Sequence, residues 1–566
     1  MHPYRPVVAG TRHVVSAGHY LAAQAGFEIL EAGGNAVDAG VAAGIALGVV
    51  QTDRVNFAGV APIILYFAAE RRVVTIDGLG HWPRAADVRV FNDRHGGVIP
   101  PGILRTVIPA APSAWITALE RFGTMSFADV AQAAIRFARD GFPMHWLMAE
   151  WIASDEEAYR RWPETASIFL PDGKPPAIGA PFVQADLGRT LQYMADEEAA
   201  RASSGRAAGL RAAHDAFYRG DIAAAITAYH HEHGGWITPE DLVDYCVRFE
   251  SPVRTAFRDI EVYACGPWCQ GPALLEALNI VAGIDLRALG HNSPAYIHTL
   301  SEALKLAYAD RHAYFGDPRF VDVPIDRLLS REYAAERRRA IDPHRAHPGM
   351  PPPGMAKTAA DARPSAVDTE PELDTSYVCV IDRHGNAFSA TPSDASSATP
   401  VIPGTGLCPS SRGSQSWCDP AHPSVVAPGK RPRLTPSPAL ALRDGKAYMP
   451  FGSPGNDVQP QAMLQTFLNV HVFGMDVQSA VEAPRFATFS YPQSSEPHTY
   501  RPGRLNVESR ISESTRDTLA GLGHDVVAWP DLDWHAGAVC MARVAPGTGV
   551  LEASADPRTP SGALGW

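Results

Sequence analysis

The residues best suited to chemistry stand where a proline-rich polar stretch gives way to an apolar β pattern, at Asp374-Thr375-Ser376-Tyr377-Val378-Cys379-Val380-Ile381. Alternating and β-branched residues follow Thr375, and Gly385-Asn386 then turns the chain into a second run, 387–391. This reads as a hairpin with a partly buried first strand. Upstream, from about 343 to 374, Pro, Ala and acidic residues dominate with no period that could pack, so the stretch reads as a flexible linker. A linker that delivers a threonine to a core strand suits a precursor that cuts itself. Cleavage between Asp374 and Thr375 would free an α-amine able to act as general base for the hydroxyl of the same residue. Threonines that open strands are more often structural, and these residues alone leave both readings open.

Other elements must hold that threonine in place. Two helical patterns, 20–32 and 36–50, are separated by Gly33-Gly34-Asn35. Residues 57–66 and 73–78 read as paired strands, and 112–122 and 126–140 as helices, the second capped by Ser126 with Asp129. Ser293-Pro294 opens a helix with Ile297, Leu300, Leu304, Ala307 and Tyr308 on one face. His298, Glu302 and Asp310 on the same helix read as solvated polarity, because no trio shares a face at metal-ligand spacing. The alanine-rich run 199–213 is expected to be exposed helix. After the hairpin come a strand pair, 439–443 and 447–451, and the glycine turn Gly452-Ser453-Pro454-Gly455-Asn456 ahead of an apolar helix at 463–472. Free N–H groups in such a turn favour developing negative charge, so Gly455 and Asn456 are candidates for an oxyanion hole.

With 566 residues the chain can bury a large core, and one extensive layered domain is expected. Its 46% apolar and 19% charged residues are ordinary for a globular protein, and a net charge of −12 argues against nucleic acid or an anionic membrane as partner. No run of eighteen apolar residues is present, and the first residues, Met1-His2-Pro3-Tyr4-Arg5-Pro6, lack the apolar core of a secretory signal. Seven scattered cysteines do not make a disulfide framework. Together these features predict a cytoplasmic location. Cys265 and Cys269 read as core or pocket-wall thiols, since no second pair completes a zinc pattern. Neither a metal nor a cofactor is needed by the chemistry suggested for Thr375.

Asp374-Thr375-Ser376-Tyr377, followed by Ile381-Asp382 and Gly385-Asn386-Ala387, resembles the small-subunit start of the γ-glutamyltransferase family of N-terminal nucleophile hydrolases. Similar likenesses run through Gly33-Gly34-Asn35-Ala36-Val37-Asp38-Ala39, Gly316-Asp317-Pro318 and Ala555-Asp556-Pro557-Arg558. The resemblance implies an α+β fold, a four-layer αββα sandwich, with Thr375 as nucleophile and Gly455 and Asn456 as the oxyanion hole. It also implies a large subunit, 1–374, and a small one, 375–566, that stay together as a heterodimer, with a dimer of such heterodimers as a further arrangement it allows.

The chain leaves the family pattern in the substrate pocket. The arginine that would hold a glutamate α-carboxylate falls on Val88, with Arg84 and Arg89 beside it. The family's asparagine falls on Ala395, next to Asp394, its glutamine and aspartate on Arg412 and Gln415, and its paired serines on Leu434 and Thr435. Val60-Ala61-Pro62 replaces a more glycine-rich wall. Losing the aspartate removes the charge suited to a substrate ammonium, while Arg412 adds a fork suited to a carboxylate. The expected substrate is therefore a small acidic amide without an α-amino group, such as oxamate or another short dicarboxylic monoamide. A γ-glutamyltransferase proper and a non-catalytic relative are the alternatives.

Overall fold

The computed structural model describes residues 3–355 and 374–566. Most of the linker expected at 343–374 lies outside them. Its first part, 343–355, forms no helix or strand but is pinned: the Met350 N–H donates to the Tyr500 hydroxyl at 2.7 Å and the Gly354 N–H to Asp310 Oδ1 at 2.8 Å.

Two seven-stranded antiparallel sheets lie face to face. One runs Gly562–Gly565, Val14–Ala17, Val378–Ile381, Ala387–Ala390, Ile63–Phe67, Arg72–Ile76 and Phe249–Glu250. The other runs Val8–Gly10, Leu551–Ser554, Cys540–Val544, Lys446–Gly452, Ala439–Arg443, Ile260–Ala264 and Val253–Phe257. Side-chain alternation along the strand after Thr375 makes the layering legible. Tyr377, Cys379 and Ile381 pack between the sheets with Leu440, Leu442, Cys540 and Ala542. Val378 and Val380 point the other way, into a core built with the helices Tyr20–Glu31 and Ala36–Val50. The far face of the second sheet is covered by Gly271–Val281, Pro294–Tyr314 and Gln459–His471. The result is a four-layer αββα sandwich, as the resemblance implies.

All fifteen residues of Ala36–Val50 are buried, which fits a helix apolar all round its circumference. Gly40 is required there, because a Cβ would fall 2.1 Å from the Phe388 ring. Asn35 and Asp38 close a capping box at its N-terminus. Asp382 Oδ2 also accepts the Ala36 N–H at 2.9 Å, while Asp382 Oδ1 accepts from His384 and Asn386 in the hairpin turn. One carboxylate thus fixes the hairpin carrying Thr375 against the end of the helix beneath it.

The alanine-rich run differs from expectation. One helix, Ala185–Ala200, ends inside it and another, Arg206–Tyr218, starts after Gly205, whose φ of 94° no helix continues through. Residues 199–208 are exposed or half-exposed as expected, whereas Gly209, Leu210 and Ala213 are buried in the helical layer. Among the described residues no helix is long and apolar enough to cross a membrane.

His230 illustrates how this core responds to acid. Its ring is fully buried, and burial holds the imidazole down to about 3, well under its ordinary 6.5. A histidine kept neutral in the fold but titrating near 6.5 when unfolded contributes stability that is complete above that pH and lost as pH falls. His230→Phe should therefore shrink the stability difference between pH 7.5 and pH 5 by up to about 2 kcal/mol. Urea titrations at the two pH values measure it, and an unchanged difference would mean that the ring is not buried neutral.

Candidate active site

Thr375 sits three residues ahead of the strand Val378–Ile381, fully buried. Its φ is 92°, a region β-branched residues rarely enter and one that costs about 1–3 kcal/mol. Neighbours on three segments impose it. The Thr375 and Asp394 N–H groups both donate to the Arg54 carbonyl at 3.1 Å, and the Ser376 N–H donates to the Pro392 carbonyl at 3.0 Å. Val60 and Ser393 exchange backbone hydrogen bonds, so the Val60-Ala61-Pro62 wall clamps the strand that returns beside Thr375.

Two groups contact the Thr375 hydroxyl, and Arg412 holds both. It donates to Asp374 Oδ1 at 2.9 Å and lies 2.6 Å from the Ser393 hydroxyl. Arg412, 2% exposed, bonds through Nη2 to Asp374 Oδ2 and to the Ser393 hydroxyl, and its Nε faces Asp394 Oδ1 at 3.4 Å. Asp394 Oδ2 accepts from the Ser410 hydroxyl at 2.7 Å, and Oδ1 from the Ser411 N–H at 2.8 Å and hydroxyl at 2.7 Å. Burial raises the Asp394 pKa, with Arg412 and these donors opposing it.

The glycine turn approaches from the other sheet. The Gly455 N–H donates to the carbonyl oxygen of Asp374, the residue before Thr375, at 3.3 Å. Gly455 has φ 113° and Asn456 φ 48°. The second position is thus left-handed, where asparagine is among the better-tolerated residues. Behind the turn, Gln415 Nε2 donates to Thr435 Oγ1 at 2.8 Å, Thr435 Oγ1 to Asn456 Oδ1 at 3.0 Å, and the Thr435 N–H to Gln415 Oε1 at 3.0 Å. Gln270 Nε2 ties the Thr435 and Asn456 carbonyls together at 2.8 Å each.

Of the residues singled out from sequence, Asp374, Thr375, Asp394, Arg412, Gln415, Thr435, Gly455 and Asn456 form this one connected cluster. Arg84 and Arg89 do not join it. Arg84 is an exposed side chain paired with Asp244 at 2.6 Å, and Arg89, 80% exposed, folds back on Asp87 at 2.7 Å. Helix Val88–His95 begins at Asp87, so both arginines serve nearby acids at the surface.

Sequence reasoning missed Ser393 and Arg54. Arg54 is 1% exposed, uses Nε on Asp53 at 2.9 Å, and lies 4.7 Å over Trp534 and 5.7 Å from Trp151. Among the described residues, its Nη1 and Nη2 have no hydrogen-bond partner. Its one sequence signal is a charged residue between an apolar helix and an apolar strand. The polar residues of Pro294–Tyr314 also need correction: His298, Glu302 and Asp310 are buried, not solvated. His298 and Glu302 meet His524, with ligand atoms within 4.8 Å. Lys305 holds Glu302 at 2.7 Å and the two histidines bond to each other at 2.9 Å, which leaves only His524 Nδ1 of this polar network without a hydrogen-bond partner among the described residues. Cys265 and Cys269 are buried, and burial pushes the Cys265 thiol well above its usual range.

Residues 22–566 match the family model described as Gamma-glutamyltranspeptidase. The chain is 33% identical over 539 residues to an acylase ACY 1 proenzyme of Pseudomonas sp. (strain SE83), covering 92% of this chain and 88% of that protein. It is 30% identical over 571 residues to the oxamate amidohydrolase proenzyme of Klebsiella pneumoniae, covering 98% and 99%. The crystal structure of a cephalosporin acylase from Bacillus halodurans superposes with a TM-score of 0.85 at 28% identity, covering 100% of this chain and 98% of that one.

Proposed function

Because this chain belongs to the gamma-glutamyltranspeptidase family of N-terminal nucleophile hydrolases, we propose that it is a self-cleaving amidohydrolase that removes the amide of a small carboxylic-acid amide through an acyl-enzyme. The observation that carries this reading is the set of groups on the Asp374–Thr375 peptide. A hydroxyl is bonded to a carboxylate, and a backbone donor is aimed at the scissile carbonyl oxygen.

In self-cleavage, the Asp374 carboxylate takes the Thr375 hydroxyl proton while Oγ1 attacks the Asp374 carbonyl carbon. Negative charge develops on an oxygen already facing the Gly455 N–H. The C–N bond breaks, the Thr375 nitrogen gains a proton, and water hydrolyses the resulting ester. The strained φ of Thr375 is released as the peptide opens.

The freed α-amine then serves as base for the same hydroxyl. Thr375 attacks the substrate amide, ammonia leaves, and water returns the acid. Arg412 supplies the carboxylate anchor. Both Asp394 oxygens are already engaged, which leaves little for a substrate ammonium and favours an acid without an α-amino group. The relative named for oxamate supports the same class. The two products of cleavage remain associated as a heterodimer, and seven free thiols suit a reducing cytoplasm.

The test pairs N-terminal sequencing with ammonia release. A second sequence starting Thr-Ser-Tyr-Val is expected, together with turnover of short dicarboxylic monoamides, oxamate among them, exceeding that of γ-glutamyl-p-nitroanilide. Strong release from the γ-glutamyl compound alone, accelerated by an acceptor dipeptide, would assign a γ-glutamyltransferase instead.

A further inference from the structure

The first acyl group this site handles is its own. On the reading above, self-cleavage and substrate hydrolysis use the same nucleophile and the same Gly455 donor. The acyl group of the first reaction is the aspartyl of Asp374, and its position is therefore a cast of the acyl pocket. The Asp374 carbonyl oxygen accepts from Gly455 at 3.3 Å. Its side-chain carboxylate, 6% exposed with the rest of the residue, is gripped by Arg412.

An aspartyl group has two carbons between the carbonyl that is attacked and the carboxylate. We propose that the pocket is gauged to that spacing, so that the preferred substrates are monoamides of four-carbon dicarboxylic acids, with succinamate as the parent compound. Each methylene added or removed displaces the carboxylate by roughly 1.3 Å, given a carbon–carbon bond of about 1.5 Å. Charge-assisted hydrogen bonds hold within a few tenths of an ångström of about 2.8 Å, so a two-carbon or five-carbon acid cannot seat both ends as well. Arg412 does not swing free once Asp374 has left, because Asp394 keeps its Nε side oriented at 3.4 Å. In the reaction itself, amide and water give the diacid and ammonia, with no other reactant.

The experiment measures kcat/KM for ammonia release from oxamate, malonamate, succinamate and glutaramate by the self-cleaved wild-type enzyme. Succinamate is expected to lead oxamate and glutaramate by at least tenfold. A flat profile, or one peaking at either end of the series, overturns the proposal. Competitive inhibition by oxalate, malonate, succinate and glutarate gives a second reading, in which succinate should bind most tightly; equal inhibition constants also overturn it. Both are read alongside the new N-terminus. If Thr-Ser-Tyr-Val is found and the length preference is absent, the gauge is wrong while the amidohydrolase reading stands; if no second N-terminus forms, that reading itself fails.

Discussion

Thr375→Ala should yield an uncut, folded chain with no measurable turnover. The substitution removes the attacking oxygen, and the loss of a nucleophile of this kind costs roughly 10⁴-fold or more in kcat. Folding should not suffer. Alanine at φ 92° carries less strain than a β-branched residue, and the lost hydroxyl leaves Asp374 and Ser393 still bonded to Arg412. A denaturing gel should show one band where the wild type gives two, and the thermal midpoint should match or exceed that of the unprocessed wild type. Scission that persisted in this variant would remove Thr375 from the chemistry altogether.

Asp374→Asn separates the two reactions. The carboxylate that accepts the Thr375 hydroxyl proton becomes a neutral amide, and losing a positioned base typically slows a step by about 10²–10⁴-fold. Self-cleavage, followed as band conversion over hours, should slow by that order. The molecules that do cleave should then hydrolyse substrate with wild-type kcat, because residue 374 is no longer joined to Thr375 and the α-amine has become the base. Unchanged cleavage would exclude Asp374 as proton acceptor. An equal fall in both rates would point to a distorted pocket instead.

The elements around Thr375 are written locally, which is why they could be read from the chain. The break at Gly33-Gly34-Asn35, the Gly385-Asn386 turn and the apolar alternation after Thr375 each depend on residues within a few positions of one another. The helix read at 36–50 has those bounds in the structure. The four layers came from resemblance, since strand and helix alternation alone does not select them. Ser393 was invisible for a different reason: its place beside Thr375 follows from a pairing with Val60 across more than three hundred residues. Arg84 and Arg89 were chosen for sequence proximity to a family position; Asp87, two residues before Arg89, is a local partner that was passed over, whereas Asp244, which holds Arg84, is remote in the chain. Residues of Pro294–Tyr314 misled in the opposite direction. A helix packed on every side buries its polar residues too, and their partners, such as His524 and Tyr333, come from elsewhere in the chain.

The strand after Thr375 lies between Val14–Ala17 and Ala387–Ala390, and Ala439–Arg443 lies between Ile260–Ala264 and Lys446–Gly452. In both sheets, then, strands from either side of the proposed cut are laced together by main-chain ladders. Severing the backbone erases the tether that brought those strands together but none of the ladders it helped to form. The mature enzyme should consequently behave as a one-way assembly: durable while folded, yet unable to find its way back after melting, because two loose pieces must now meet in solution where a single thread once folded alone.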